Sequence, residues 1–185
     1  MPTVPSYRSL IEPYISYGLT AWGQATNSNL NEFLILQKRA LRLMSFSDSR
    51  AQAIPLFVRS AVLSLNMLYF KYLDILMHDI SNKRAPSRIS ELFVRSNMIH
   101  SHYTRFSAPS NFYVQRSRLN QLLLSFSRSG VRIWNKIPLT LREQRKDPVK
   151  RKLHISYRSR FWRLRRCMYV DMSTITTSYP NSLFS

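Results

Sequence analysis

The stretch NLNEFLILQKRALRLMSF, residues 29–46, decides how the chain is read. Leu30, Phe33, Leu34, Gln37, Leu41 and Met44 recur at spacings of three and four, which marks one face of an α-helix. Asn29 stands where an N-cap would, and Glu32 three residues later completes a capping box. The spacing predicts a helix over 30–46. At about 100° per residue, Lys38, Arg39 and Arg42 fall on a separate arc. A cationic strip therefore runs beside an apolar stripe. A lone basic triplet is more often a solvated face than a ligand contact.

Working outward, the helical pattern continues on both sides. Residues 6–23 carry Leu10, Ile11, Tyr14, Ile15, Gly18, Leu19 and Trp22 on one stripe. Pro13 should kink or split that helix, and Gly23 can stop it. Tyr14, Tyr17 and Trp22 are expected in the core, because aromatic stripes usually pack. A short helix follows Pro55, over 56–60. A longer one over 65–80 is apolar on most sides and is expected to be buried.

Beyond residue 82 the pattern changes. Residues 83–110 are basic and Ser-rich, with a helical turn near 87–93 and an extended run over 99–106. Phe112 to Val114 and Leu122 to Phe126 read as short strands that can pair. Residues 129–137 read as a turn and short helix ending at Pro138, with Trp134 as its anchor, and Pro148 can open a last helix. The expected organisation is a helical region over 6–82, a linker over 83–110, a small α+β basic region over 111–166 and a flexible tail over 167–185. The fold class is mainly α, a helical bundle followed by a small irregular α+β basic segment.

Charge is the second signal. The 185 residues hold 28 Lys and Arg against 9 Asp and Glu, a net of +19. Of the 28, 21 are Arg, whose forked guanidinium matches phosphate oxygens in pairs and stacks on bases. Residues 1–82 carry a net of +2 and residues 83–185 a net of +17. That asymmetry points to a polyanionic partner, above all nucleic acid.

Composition excludes other classes. One cysteine, Cys167, rules out a disulfide framework and a zinc finger. Three glycines, Gly18, Gly23 and Gly130, build no phosphate-cradling loop. The longest apolar stretch, 60–70, falls short of the roughly 20 residues that span a bilayer, so no membrane role is expected. Arg8 and Glu12 interrupt any apolar run near residue 1, so no secretory signal is expected. The expected setting is reducing and intracellular, and nuclear if the chain is expressed.

Four short motifs carry a resemblance. Residues 13–23, PYISYGLTAWG, have the form P-x-x-x-Y-G-x-x-x-W-G. Then come LQKRALR at 36–42, HSHYTR at 100–105 and GVRIWNKIP at 130–138. In this order they resemble the C-terminal region of reverse transcriptases from non-LTR retrotransposons of the jockey-like LINE type, over about residues 6–158. The resemblance implies a thumb and post-thumb region. The palm with its Tyr-x-Asp-Asp box, and the endonuclease, would lie upstream and be absent here. It also implies that thumb helices touch duplex phosphates rather than base edges, which fixes position without reading sequence. Apolar surface meant for a palm, at Leu10, Ile11 or Leu68, is expected to be exposed. That would leave the isolated chain aggregation-prone or partly molten.

The residues offer no polymerase chemistry. Two-metal nucleotidyl transfer needs carboxylates converging on ions roughly 3.5–4 Å apart, and no two acids are adjacent. Tyr169-Val-Asp171-Met172 resembles the box, but Met offers Mg²⁺ no oxygen. Its position after the thumb-like region marks it as coincidence. His78, His100, His102 and His154 read as solvated or capping side chains, and Cys167 as a plain thiol. No catalytic residue, metal ligand or cofactor is assigned, since Mg²⁺ would belong to the palm. Besides Lys38, Arg39 and Arg42, the expected phosphate contacts are Arg142, Arg145, Lys146, Lys150, Arg151, Lys152, Arg158, Arg160, Arg163, Arg165 and Arg166. Tyr157, Phe161, Trp162 and Tyr169 interleave with them as stacking faces suited to single strands. The expected function is noncatalytic, nonspecific binding of template and primer RNA or DNA. The alternative is a free-standing basic RNA-binding or interaction protein with no polymerase role.

Overall fold

A computed structural model describes residues 3–99, 109–116, 118, 125–137, 139–142 and 155. The described residues are mainly helical, as expected, and their only strand-like pairing is one isolated antiparallel bridge, Arg95 with Phe112. The chain divides into two compact units, and the division falls between Tyr72 and Leu73 rather than after residue 82.

The first unit opens with α1 (Thr3–Ser6), a π-helical segment (Tyr7–Ile11) and α2 (Glu12–Ser16). Pro13 does not break this run. Its ring would press on the carbonyl one turn back, and the widened turn just before it makes room, with Glu12 N–H donating to Tyr7 O. The split comes later, at Gly18, whose φ of 61° lies in the left-handed region that a side chain resists. Trp22 Nε1 closes that turn on Tyr17 O at 2.8 Å, and α3 (Leu19–Trp22) follows. Gly23 serves another purpose: a Cβ there would lie 2.3 Å from the buried Tyr69 ring.

The central helix, α4, spans Asn27–Met44. It starts one turn before the expected cap. Thr26, with extended ψ of 150°, is the N-cap residue and Asn29 lies inside the helix. Then come α5 (Ala53–Arg59) and α6 (Leu65–Ser81), the latter close to its expected bounds. Tyr7, Leu41, Ala53, Phe57 and Val62 form one core cluster, with Ile11 and Met44 against it. Gln37 is buried on the same face of α4. Its Nε2 donates to Tyr7 Oη at 2.7 Å and Leu63 O at 2.9 Å, and its Oε1 accepts from Leu65 N–H at 3.0 Å. One side chain thus ties the N-terminal helices to α4 and satisfies a free N–H at the start of α6.

The second unit takes the rest of α6, then α7 (Ser87–Ser90), a 3₁₀ turn (Ser96–Met98), α8 (Phe126–Trp134) and α9 (Leu139–Arg142). Its core joins Met77, Ile80, Phe93, Phe112, Val131, Trp134 and Ile137. Residues 83–99 are therefore not a plain linker, because Phe93 is packed into this core. Phe126 opens α8 instead of ending a strand, and Phe112 pairs with Arg95 instead. In that bridge Tyr113 N–H donates to Val94 O and Ser96 N–H to Asn111 O. Phe112's own N–H and C=O point the other way, and the Asn135 side chain takes both, at 3.0 and 2.8 Å. Gly130 lets α8 approach α6, since a Cβ there would lie 2.9 Å from Met77 Sδ.

Three expected core or surface assignments are corrected. Tyr14 and Tyr17 are 83% and 85% exposed, because Gly18 turns the chain before their stripe can pack. Leu68 is buried; Leu10 is exposed and Ile11 half-buried. His78 is buried rather than solvated, edge-on to Trp134 with ring centres 6.3 Å apart.

Candidate nucleic-acid interface

The cationic strip on α4 is partly exposed. Arg39 is exposed and Lys38 half-buried. Arg42 is half-buried, and its Nε donates to Ala51 O at 2.8 Å, tethering the segment between α4 and α5. Beside Arg39 runs an apolar stripe that the helix leaves open: Phe33, Leu36 and Leu43, with Phe46 beyond the helix end at 90% exposure. Of the stripe that predicted the helix, Leu30, Leu34, Gln37 and Leu41 are buried and Met44 is half-buried, but Phe33 at its edge is exposed; Leu36 and Leu43 lie outside that stripe.

Arg142 is not a surface cation. It is buried, its Nε donates to Ile137 O at 2.7 Å, and its Nη1 reaches Asn111 Oδ1 at 2.8 Å and Ser110 Oγ and O at 3.3 and 3.4 Å. Its guanidinium lies 5.5 Å from the Trp134 ring centre. Ile137, whose carbonyl takes the Arg142 Nε, is itself buried, and a buried carbonyl needs a donor from the protein. Burial, and then the nearby Arg95 charge, push the Arg142 pKa down to about 10. The other expected contacts, Arg145, Lys146, Lys150, Arg151, Lys152, Arg158, Arg160, Arg163, Arg165 and Arg166, lie outside the described residues. So do His100, Tyr103 and Arg105, and the aromatic residues 157, 161, 162 and 169.

Arg95 was not foreseen. Its Nη1 donates to Ser110 O at 3.1 Å, its Nη2 to Ser81 O and Oγ at 3.2 and 3.1 Å, and its guanidinium lies 4.2 Å from the Phe112 ring centre. Burial lowers its pKa. Trp134 Nε1 donates to the same Ser110 O at 3.1 Å. Two guanidiniums and an indole thus converge on one carbonyl. Nothing in the spacing of Arg95, Ser110 and Arg142 announces this, because the fold alone brings them together.

No helix among the described residues is long and apolar enough to cross a membrane. No family model matches the chain, and no curated protein or solved structure matches it either.

Proposed function

We propose that the chain holds nucleic acid nonspecifically by its phosphates and catalyses no synthesis, as the thumb and post-thumb region of a non-LTR reverse transcriptase would hold template and primer. The observation that carries this reading is the one-sided charge, a net of +17 within residues 83–185, most of it Arg. Phosphate contacts supply affinity without sequence information. On α4 the exposed Arg39 adds a cation at a helix face. The test is fluorescence anisotropy with labelled RNA and DNA of several unrelated sequences at one salt concentration. Affinities within a few-fold of each other are expected. A preference of a hundredfold for one sequence would overturn the reading, as would primer extension by the purified chain with Mg²⁺ and nucleotides.

A second reading, a basic interaction protein, is favoured by one observation. Leu36, Leu43 and Phe46 are 57%, 77% and 90% exposed, and such contiguous apolar surface often marks a protein contact. Capture of one defined protein in place of nucleic acid, at physiological salt, would favour it.

A further inference from the structure

The geometry points to Arg95 and Arg142, gathered round the Ser110 carbonyl, as a binding site for a phosphate group. Each guanidinium is partly withdrawn from water, and the two repel each other. Among the described residues no carboxylate bonds either one; their partners are carbonyls, hydroxyls, an amide oxygen and aromatic faces. Neutral acceptors satisfy N–H groups, but among the described residues they leave both charges without a counter-charge in hydrogen-bond contact. Buried charges are ordinarily paired.

The donors are also not used up. Among the described residues, Arg142 Nη2 and Arg95 Nε donate to no atom. The side chains that hold these two arginines, Asn111, Trp134 and Ser81, fix the guanidiniums before any ligand arrives, so little freedom is lost on binding. A phosphate, with several oxygens round one centre, can accept from the remaining donor of each guanidinium at once. This inference leans on the nucleic-acid reading only for the source of the phosphate, a backbone diester or a free phosphate.

The test uses the full chain. Its melting temperature is followed against inorganic phosphate at constant ionic strength, with chloride as the balancing salt, and against a short single-stranded DNA that carries diesters but no terminal phosphate. A saturable rise with either ligand is expected, lost in Arg95→Gln and retained in Arg88→Gln, an exposed cation of the same unit. If both ligands act, the site takes a backbone diester; if only inorganic phosphate acts, it takes the free ion or a monoester. Either result supports the site. No rise with either ligand, or an unchanged rise in Arg95→Gln, overturns it. Should Arg95→Gln fail to fold, Arg95→Lys keeps a charge and removes the fork. A fivefold or greater loss of phosphate affinity then supports the site, and unchanged affinity overturns it. Duplex binding by the unaltered chain is read separately. Its failure beside an Arg95-dependent phosphate effect would sink the nucleic-acid reading and leave the site standing.

Discussion

At the scale of single residues, the scarcity of glycine has a structural consequence. Helices α4, α5 and α6 each end in the same closure, with Ser47 N–H donating to Arg42 O, Val62 N–H to Phe57 O and Arg84 N–H to Asp79 O. Each closure puts a residue in the left-handed region, the place usually held by glycine. Here those residues are Phe46, Ala61 and Lys83, with φ of 49°, 52° and 56°. Phe46 and Lys83 are exposed, so little packing is lost on replacing them. Phe46→Gly and Lys83→Gly should each stabilise the fold by about 1 kcal/mol, the cost of a left-handed L-residue, read by denaturant unfolding; a loss of stability in either would contradict the assignment. The same scale explains two of the four motifs without any ligand. Gly18 and Gly23 serve a turn and a close contact, while Trp134 and Asn135 build the core and the edge around Phe112. Arg142, expected at the surface on charge alone, shows the limit of that argument: composition counts cations but not the carbonyls that claim them.

At the scale of elements, α4 and α6 were legible because each is long enough for a periodic pattern to outweigh local exceptions. Gln37 was placed correctly on the core-facing stripe, although its polar contacts were not visible in the spacing. With three buried hydrogen bonds at stake, Gln37→Leu should cost about 3 kcal/mol or more, since each orphaned buried polar group costs roughly 1–3. A change below 1 kcal/mol in a urea melt would show the link to be dispensable. The π-helical turn and the Arg95–Phe112 bridge were not legible. The first depends on how a helix makes room for Pro13. The second depends on partners far apart in sequence, and the alternation over 122–126 suggested a different pairing. The packing of Tyr7 and Tyr69 carries a pH prediction. Burial is the main cause that raises both phenols from the ordinary 10.0 to about 12. A pKa raised in the folded state means stability that is complete below pH 10 and is lost as pH climbs toward 12. Melting temperature should therefore fall over pH 10–12, while the 295 nm phenolate absorbance of these two residues rises later than that of exposed tyrosines. If both ionise near pH 10 with no loss of stability, the packing is wrong.

At the scale of the whole molecule, two features pull in different directions. The excess of cations favours solubility and a polyanionic partner. The open apolar stripe along α4 favours association. The exposed surface should show itself as self-association. Light scattering should fall in Leu43→Gln while the melting temperature stays within about 2 °C, as surface changes usually allow; scattering that is unchanged would place the association elsewhere. The functional reading was carried by charge asymmetry and by a resemblance in four motifs. Of the cations it named on α4, Arg39 is exposed, while Lys38 and Arg42 are half-buried. Arg95, which it did not name, joins Arg142 instead. The most direct test of the central claim is the salt dependence of binding to a nucleic-acid duplex. Several neutralised phosphates predict a straight, steep fall of log affinity with log salt, with the same slope for unrelated sequences. An affinity that does not change with salt would contradict it.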